Sequence, residues 1–274
     1  MLFSIYIIFL LSIKKGNKMQ ESIENILMEL RPAFNRQATF FWFVICCAGF
    51  ICRTDFYGVT SIIRSLDLNP KHYNSLLNFF HSSAFDLKKL MALWQKIVFK
   101  SKIHIIVNER IVLNGDHTKQ PKDGRKIPGM TTMHQDSETS SKPSYFRGHH
   151  IGCIGIVINA LGQLRTLPLL ASIQEGTGQY HIERKISKIE QMMNMAYDIT
   201  LASGKNSFLV LDAYFAVGPV FEYAKNIAKE NIKPIHILTR AKKNIVAYFE
   251  PKKKKTKQRG RPQKYGKAIK LYEL

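Results

Sequence analysis

Three features of the 274 residues predict an α/β chain, helical first and then built on a mixed sheet. Apolar residues recur at helical spacing through the first hundred positions. From residue 103 they gather into short β-branched runs separated by turn signals, and from residue 182 helical and strand-like segments alternate. Strands first and strand–helix–strand afterwards argue a sheet with an antiparallel start and a parallel finish. A composition that is 45% hydrophobic can bury a core, which excludes a wholly disordered basic tail.

Residues 1–13 are apolar and precede Lys14 and Lys15, but the run is shorter than the ~20 residues of a span. It also lacks a charged n-region and a small-residue cleavage site. Residues 1–18 are therefore read as an apolar leader with a misassigned start, ahead of a signal peptide. Ile23, Ile26, Leu27 and Leu30 mark a first helix ending near Pro32. Residues 40–52, bounded by Arg36 and Arg53, have the length of a buried core helix. Val59, Ile62, Ile63 and Leu66 mark another helix. The break at residues 67–70 then puts Pro70 in the first turn of a helix reaching His81. Helix, turn, helix fits a DNA-reading pair led by Lys71, His72, Tyr73 and Asn74, and it fits the commoner helical hairpin. Leu87, Leu90, Trp94, Ile97 and Val98 close the helical region, residues 19–100.

Residues 103–107, 110–113, 151–158 and 164–173 read as strands, 182–201 as a helix, 208–211 as a buried strand, 217–230 as a helix and 235–238 as a further strand. These make residues 101–248 the second unit. Beyond Tyr248 the composition turns basic, with Lys252, Lys253, Lys254 and Lys255 followed by Lys257, Arg259 and Arg261. Residues 249–274 are read as an arm or linker. Arg259-Gly-Arg261-Pro suits a narrow minor groove, and equally a solvated tail or a localisation patch.

Forty-one Lys and Arg against 20 Asp and Glu give a net charge of +21, of which residues 240–274 carry +11. A folded chain of that charge implies a polyanionic partner, nucleic acid ahead of an anionic membrane. Cys46, Cys47, Cys52 and Cys153 show no framework or zinc spacing and read as buried thiols of a reducing compartment.

Asp116 and Asp212 each come just after an apolar strand, so if those strands are neighbours their carboxylates emerge together at the sheet's edge. Paired carboxylates beside a basic surface are what a divalent-metal site for phosphodiester chemistry needs, with two ions about 3.5 to 4 Å apart. The alternative is that each Asp is a turn former or helix cap. Residues 116–150 are too long and polar for a hairpin turn. As a functional loop they offer Lys119, Lys122, Arg125, Lys126 and Lys142 to phosphates. His134, His149 and His150 lack a matched second pair for zinc.

Gly115-Asp116, Lys119, the block from Pro121 to Gly129, His134-Gln135, Ser137-Glu138, Ser141-Lys142-Pro143 and Gly148-His149 together resemble the first catalytic block of bacterial DDE transposases of the insertion-sequence 4-like type. Leu211-Asp212-Ala213-Tyr214 resembles the second block, and Leu238-Thr239-Arg240 with the lysine run resembles the stretch beyond that block. The resemblance implies an RNase H-like core in which two Asp and one Glu hold two Mg²⁺ or Mn²⁺ ions. Asp116 and Asp212 match the two Asp. It implies cleavage and strand transfer on double-stranded DNA, both element terminal repeats and target, by a homodimer at the bacterial nucleoid in the cytoplasm. The third acid has no match among Glu222, Glu230, Glu250 and Glu273, so the expectation is an incomplete catalytic core, truncated at its carboxyl end. A non-catalytic DNA-binding remnant is the alternative.

Overall fold

The computed structural model describes residues 18–55, 58–124, 127–134, 144–174, 187–230, 233–241, 245–251 and 263–270. Five helices come first: α1 (Lys18–Leu30), α2 (Gln37–Cys52), α3 (Gly58–Ser65), α4 (Tyr73–His81) and α5 (Leu87–Ser101). They track the apolar stripes closely. Asp86 caps α5 by accepting a hydrogen bond from Lys89 N, and Asn69 accepts one from Lys71 N. Pro70 opens a short 3-10 turn, Pro70–His72, and α4 starts only at Tyr73. The α3–turn–α4 pair packs on α2. His72 turns its ring toward Trp42, 5.6 Å away, while Lys71 and Tyr73 stay exposed. Phe40, Phe43, Cys46 and Cys47 of α2 are buried. Among the described residues no helix is long and apolar enough to cross a membrane. Cys46 and Cys47 are the buried thiols expected, whereas Cys52, on the last turn of α2, is exposed.

The sheet comes next: β1 (Ile106–Val107), β2 (Arg110–Pro121), β3 (Thr131–His134), β4 (Tyr145–Ala160), β5 (Gln163–Ile173), β6 (Ser207–Leu211) and β7 (Ile235–Thr239). Its order is β3-β4-β2-β6-β7, with β5 on β4 and β1 on β2. Pairings within β1–β5 are antiparallel, and β2–β6 and β6–β7 are parallel. Helix α6 (Lys188–Ser203) precedes β6, and α7 (Gly218–Lys229) carries the chain from β6 to β7. The mixed α/β architecture is as predicted. The start of the helix expected over 182–201 lies partly outside the described residues.

Two expectations are corrected by pairing. The run 110–113 does not end at Asp116, because β4 keeps offering partners as far as Pro121↔Gly148, and β2 continues with it. For the same reason the region 116–150 is not one loop. Three strands enter it, and β3 closes against β4 from Thr131↔Gly148 to His134↔Tyr145. The first run, 103–107, shrinks to β1, with His104 only bridging Ile158.

Period-two alternation puts Ile111 and Leu113 of β2 on the same buried face as Ile154, Ile156 and Ile158 of β4 and Leu209 and Leu211 of β6. Helix α6 covers that face with Met192, Met193, Ala196 and Ile199. Helix α5 docks beside it, where Trp94 Nε1 donates to Pro168 O at 2.9 Å. One continuous core thus runs from Ile26 to Ile235. Strands β8 (Val246–Tyr248) and β9 (Ala268–Lys270) form a separate antiparallel ribbon, so part of the stretch read as an arm, at Phe249 and at residues 266–270, is paired. Its residues 252–262 lie outside the described residues.

Candidate active site

Parallel pairing of β2 with β6 runs from Ile111↔Ser207 to Gly115↔Leu211. The next residue on each strand is an aspartate, so Asp116 and Asp212 stand side by side where β6 ends and β2 runs on. Gly115 is tightly packed behind them. A Cβ there would lie 2.8 Å from Leu211 Cδ2 and 3.0 Å from Ile154 Cδ1, so glycine is what lets the two strands and α6 close up at this level. Asp116 Oδ1 accepts from His117 N at 2.7 Å, and Asp212 Oδ1 accepts from Tyr214 N at 3.1 Å. The second bond makes Asp212 the cap of the 3-10 turn Ala213–Phe215. The capping role weighed for Asp212 is therefore present, and it engages one oxygen of the carboxylate. Thr239 Oγ1, from the neighbouring end of β7, donates to Asp212 O at 2.8 Å and ties the turn to the sheet.

Both aspartates line a cleft of about 390 Å³. Its other walls come from β2 beyond Asp116, from β3 and β4, from the first residue of α6 and from the turn after Asp212. They contribute His117, Lys119, His134, His150, Lys188 and Tyr214 among others. His117 is wedged between His150, 4.5 Å between ring centroids, and Phe215 at 4.9 Å, and its Nε2 is buried without a hydrogen-bond partner among the described residues. Burial, then the neighbouring His150 and Lys188, hold its imidazole down to about 4, so the ring is neutral at physiological pH. Lys119 Nζ donates to His134 O at 2.8 Å. Burial and the facing Lys119 push the Lys188 ammonium below the usual lysine range.

Of the cations read from the sequence, Lys119 lines the cleft and Lys122 is exposed outside its lining. Arg125, Lys126, Lys142, Lys252, Lys253, Lys254, Lys255, Arg259 and Arg261 lie outside the described residues. Sequence reasoning missed His117 and Lys188, weighed His150 only as a zinc ligand and noted Tyr214 only within the second block. His117 and Lys119 share the strand parity of Leu113 and Gly115, which places them on α6's side of the sheet, but only a β2 running past Asp116 makes that parity usable. Lys188 is preceded by Ser187, whose Oγ accepts from Glu190 N at 3.1 Å, and Ser-x-x-Glu is a legible helix start.

Chemically, the aspartate pair supplies hard oxygen donors on one strand level, which is the donor type that Mg²⁺ and Mn²⁺ take. The lysines on the α6 side supply positive charge for an anionic substrate. Among the described residues no three Asp, Glu, His or Cys side chains converge as a metal cluster, so the pair makes part of a ligand set.

No curated protein matches the chain. A family model does, over residues 29–272, and its description is DDE superfamily endonuclease. That match takes in the helical region from the end of α1 onward, the whole sheet with both aspartates, and strands β8 and β9, and the chain belongs to this family of DDE superfamily endonucleases.

Proposed function

We propose that this chain is a transposase of the insertion-sequence 4-like type, which binds the ends of its element and cleaves and joins DNA in a divalent-metal-dependent reaction. The observation that carries the proposal is the β2–β6 register, which sets Asp116 beside Asp212 in a cleft that Lys119 and Lys188 also line. Asp116 and Asp212 would hold Mg²⁺ or Mn²⁺, which when bound supplies charge stabilisation at phosphorus and lowers the pKa of a water. The chain's own residues do the rest. Tyr214 N holds one carboxylate oxygen of Asp212 and Thr239 holds its backbone carbonyl, which fixes this residue in the wall of the cleft. Neutral His117, packed against Phe215, adds no charge to that wall of the cleft. Hydrolysis adds water oxygen to phosphorus, breaks the P–O3′ bond and leaves a 3′-hydroxyl, which in strand transfer becomes the nucleophile toward target DNA.

Phosphate contacts along the duplex fall to Lys119, Lys122, Arg125, Lys126 and Lys142. Lys252, Lys253, Lys254, Lys255, Arg259 and Arg261 add contacts from the basic stretch between β8 and β9. The helical region, with Lys71 and Tyr73 exposed, is the further DNA-binding surface, and a homodimer would hold two element ends. A second reading, a DNA-binding chain without cleavage, is favoured by the lack of a third carboxylate beside the pair among the described residues. Incubation of the full chain with a supercoiled plasmid carrying the element ends, in Mn²⁺ and in Mg²⁺, decides between them. Relaxed circles formed by the parent and absent with Asp212→Asn support the transposase. Retention of the plasmid in a gel shift, with no relaxation above the variant, supports the second reading.

A further inference from the structure

Tyr214 is the middle residue of the 3-10 turn Ala213–Phe215, which follows Asp212 directly. Its backbone N donates to Asp212 Oδ1, while Asp212 O accepts from Phe215 N at 3.2 Å and from Thr239 Oγ1 at 2.8 Å. Phe215, buried in the core, pins the far end of the turn. Tyr214 is therefore carried on fixed backbone, yet its side chain is 52% exposed and lines the cleft with both aspartates. The ring is braced as well. It stands perpendicular to Phe215, at 88° and 5.2 Å between centroids, and lies 6.0 Å from the ring of His117. Core packing does not call for an aromatic side chain at this position, since Phe215 is the residue of the turn that enters the interior. A ring held half-open in a cleft offers a flat π-face, and in DNA only the bases have a face to match. Within an intact duplex each base is covered by its neighbours. A ring in the wall that holds the backbone thus reaches a base face only where a base leaves the stack.

We propose that Tyr214 is a stacking platform for one unpaired nucleobase next to the bond cleaved at Asp116 and Asp212, so that the cleft takes a locally opened DNA strand. The platform rests on the reading of the cleft as the place of DNA cleavage. Tyr214 is a positioning residue, which holds the base while the aspartates beside it serve the phosphate. Because its backbone N is bonded to the Asp212 carboxylate, a base stacked on this ring is set in register with the aspartate pair. Stacking is sequence-tolerant, since every base has a π-face, and it offsets the cost of unpairing. The ring is essential to this arrangement and the hydroxyl is not, which separates stacking from a hydrogen bond to phosphate.

The test compares the parent with Tyr214→Phe, Tyr214→Leu and Asp212→Asn. Nicking is measured on a duplex carrying the element ends, either fully paired or mismatched at the bond, and thermal unfolding is followed alongside. Photocrosslinking in EDTA uses a thymidine oligonucleotide containing 5-iododeoxyuridine, which joins to a ring stacked on it. Tyr214→Leu is expected to lower nicking of the paired duplex about 10-fold, the worth of one base–aromatic stack. Mismatches that open the bond should recover most of that loss, and Tyr214→Phe should nick like the parent. The crosslink should map to Tyr214, persist at that position in Tyr214→Phe and be lost there in Tyr214→Leu, with melting temperatures unchanged. Parental nicking in Tyr214→Leu, at the same or a lowered melting temperature, overturns the platform. So does a loss that mismatches do not relieve, an equal loss in Tyr214→Phe, or a crosslink that maps only elsewhere, such as to Tyr248 or Tyr265. If Asp212→Asn nicks like the parent, the cleavage reading fails instead. The crosslink at Tyr214 then still decides whether the cleft holds a base.

Discussion

The helical region and the sheet bury apolar residues by the same means but place their charges in opposite ways. In the helices charge is settled locally. The two ion pairs formed between described residues, Arg64 with Asp55 and Lys100 with Glu29, both lie there, on the surface. In the sheet Asp116, Asp212, Lys119 and Lys188 converge on one cleft without forming ion pairs with one another. Surface pairs of the first kind contribute about 0–1 kcal/mol and are dispensable. Ionisable groups gathered in one cleft are the mark of a functional site. The difference separates the part of the molecule that supports from the part proposed to react, and substitutions in each should fail differently.

The largest effect is expected at the aspartates. Asp116→Asn and Asp212→Asn keep shape and remove the charge that would hold the metal, so plasmid nicking should fall by about 10³-fold or more, equivalent to ~4 kcal/mol of transition-state stabilisation. The unfolding midpoint should stay at the parental value, because neither carboxylate makes an ion pair with a described residue. A variant that unfolds early while nicking at the parental rate would reverse the assignment of the two regions.

Trp94 reports on the supporting part. It is 1% exposed, it joins α5 to the sheet through Pro168 O, and its loss leaves both a cavity and an unpaired carbonyl. Trp94→Ala should cost about 3 to 5 kcal/mol, read as a lower urea midpoint, with nicking per folded molecule unchanged. Gly115 lies where the two parts meet. Gly115→Val forces Leu211, Ile154 and Met192 apart just behind Asp116, so it should cost about 1 to 3 kcal/mol and lower nicking as well. A Gly115→Val chain that is destabilised but fully active would show that the strand spacing does not set the aspartate geometry.

The supporting part was the more legible in sequence, for a physical reason. Helical stripes such as Leu90, Trp94, Ile97 and Val98 repeat with the period of the structure they form, and α5 appears where they place it. The juxtaposition of Asp116 and Asp212 was legible too, because each follows an apolar run and the two runs prove to be neighbours. What could not be read was how far a strand continues once it turns polar. His117, Thr118, Lys119 and Gln120 carry no apolar alternation, and they stay in β2 because residues 149–152 of β4 pair with them. That pairing is a property of a distant segment. His117 and His150 were therefore invisible as a packed pair, and the cleft's third wall with them. Lys188 was hidden differently, because the apolar stripe of this helix does not include it, although Ser187 and Glu190 mark a helix start beside it.

The smallest effect is expected at His104, at the joint between the regions, where α5 has ended at Ser101 and the chain meets β4 through the His104↔Ile158 bridge. Its Nδ1 is buried with no hydrogen-bond partner among the described residues, its ring stands edge-on to Phe99, and burial, then Lys205, hold its pKa below the ordinary imidazole range. The folded chain therefore keeps His104 neutral while the unfolded chain protonates it below about pH 6.5. With more protons bound by the unfolded state, stability falls as pH drops from that value through the lower folded pKa, and it is fully present above. His117 contributes in the same direction, so the measurement must be a difference. The unfolding free energy of His104→Leu, tracked by urea from pH 7.5 to 5, should fall less steeply than the parent's, with the gap opening below about pH 6.5. Parallel curves would mean that His104 finds a proton acceptor in the fold and that the joint carries no buried charge conflict.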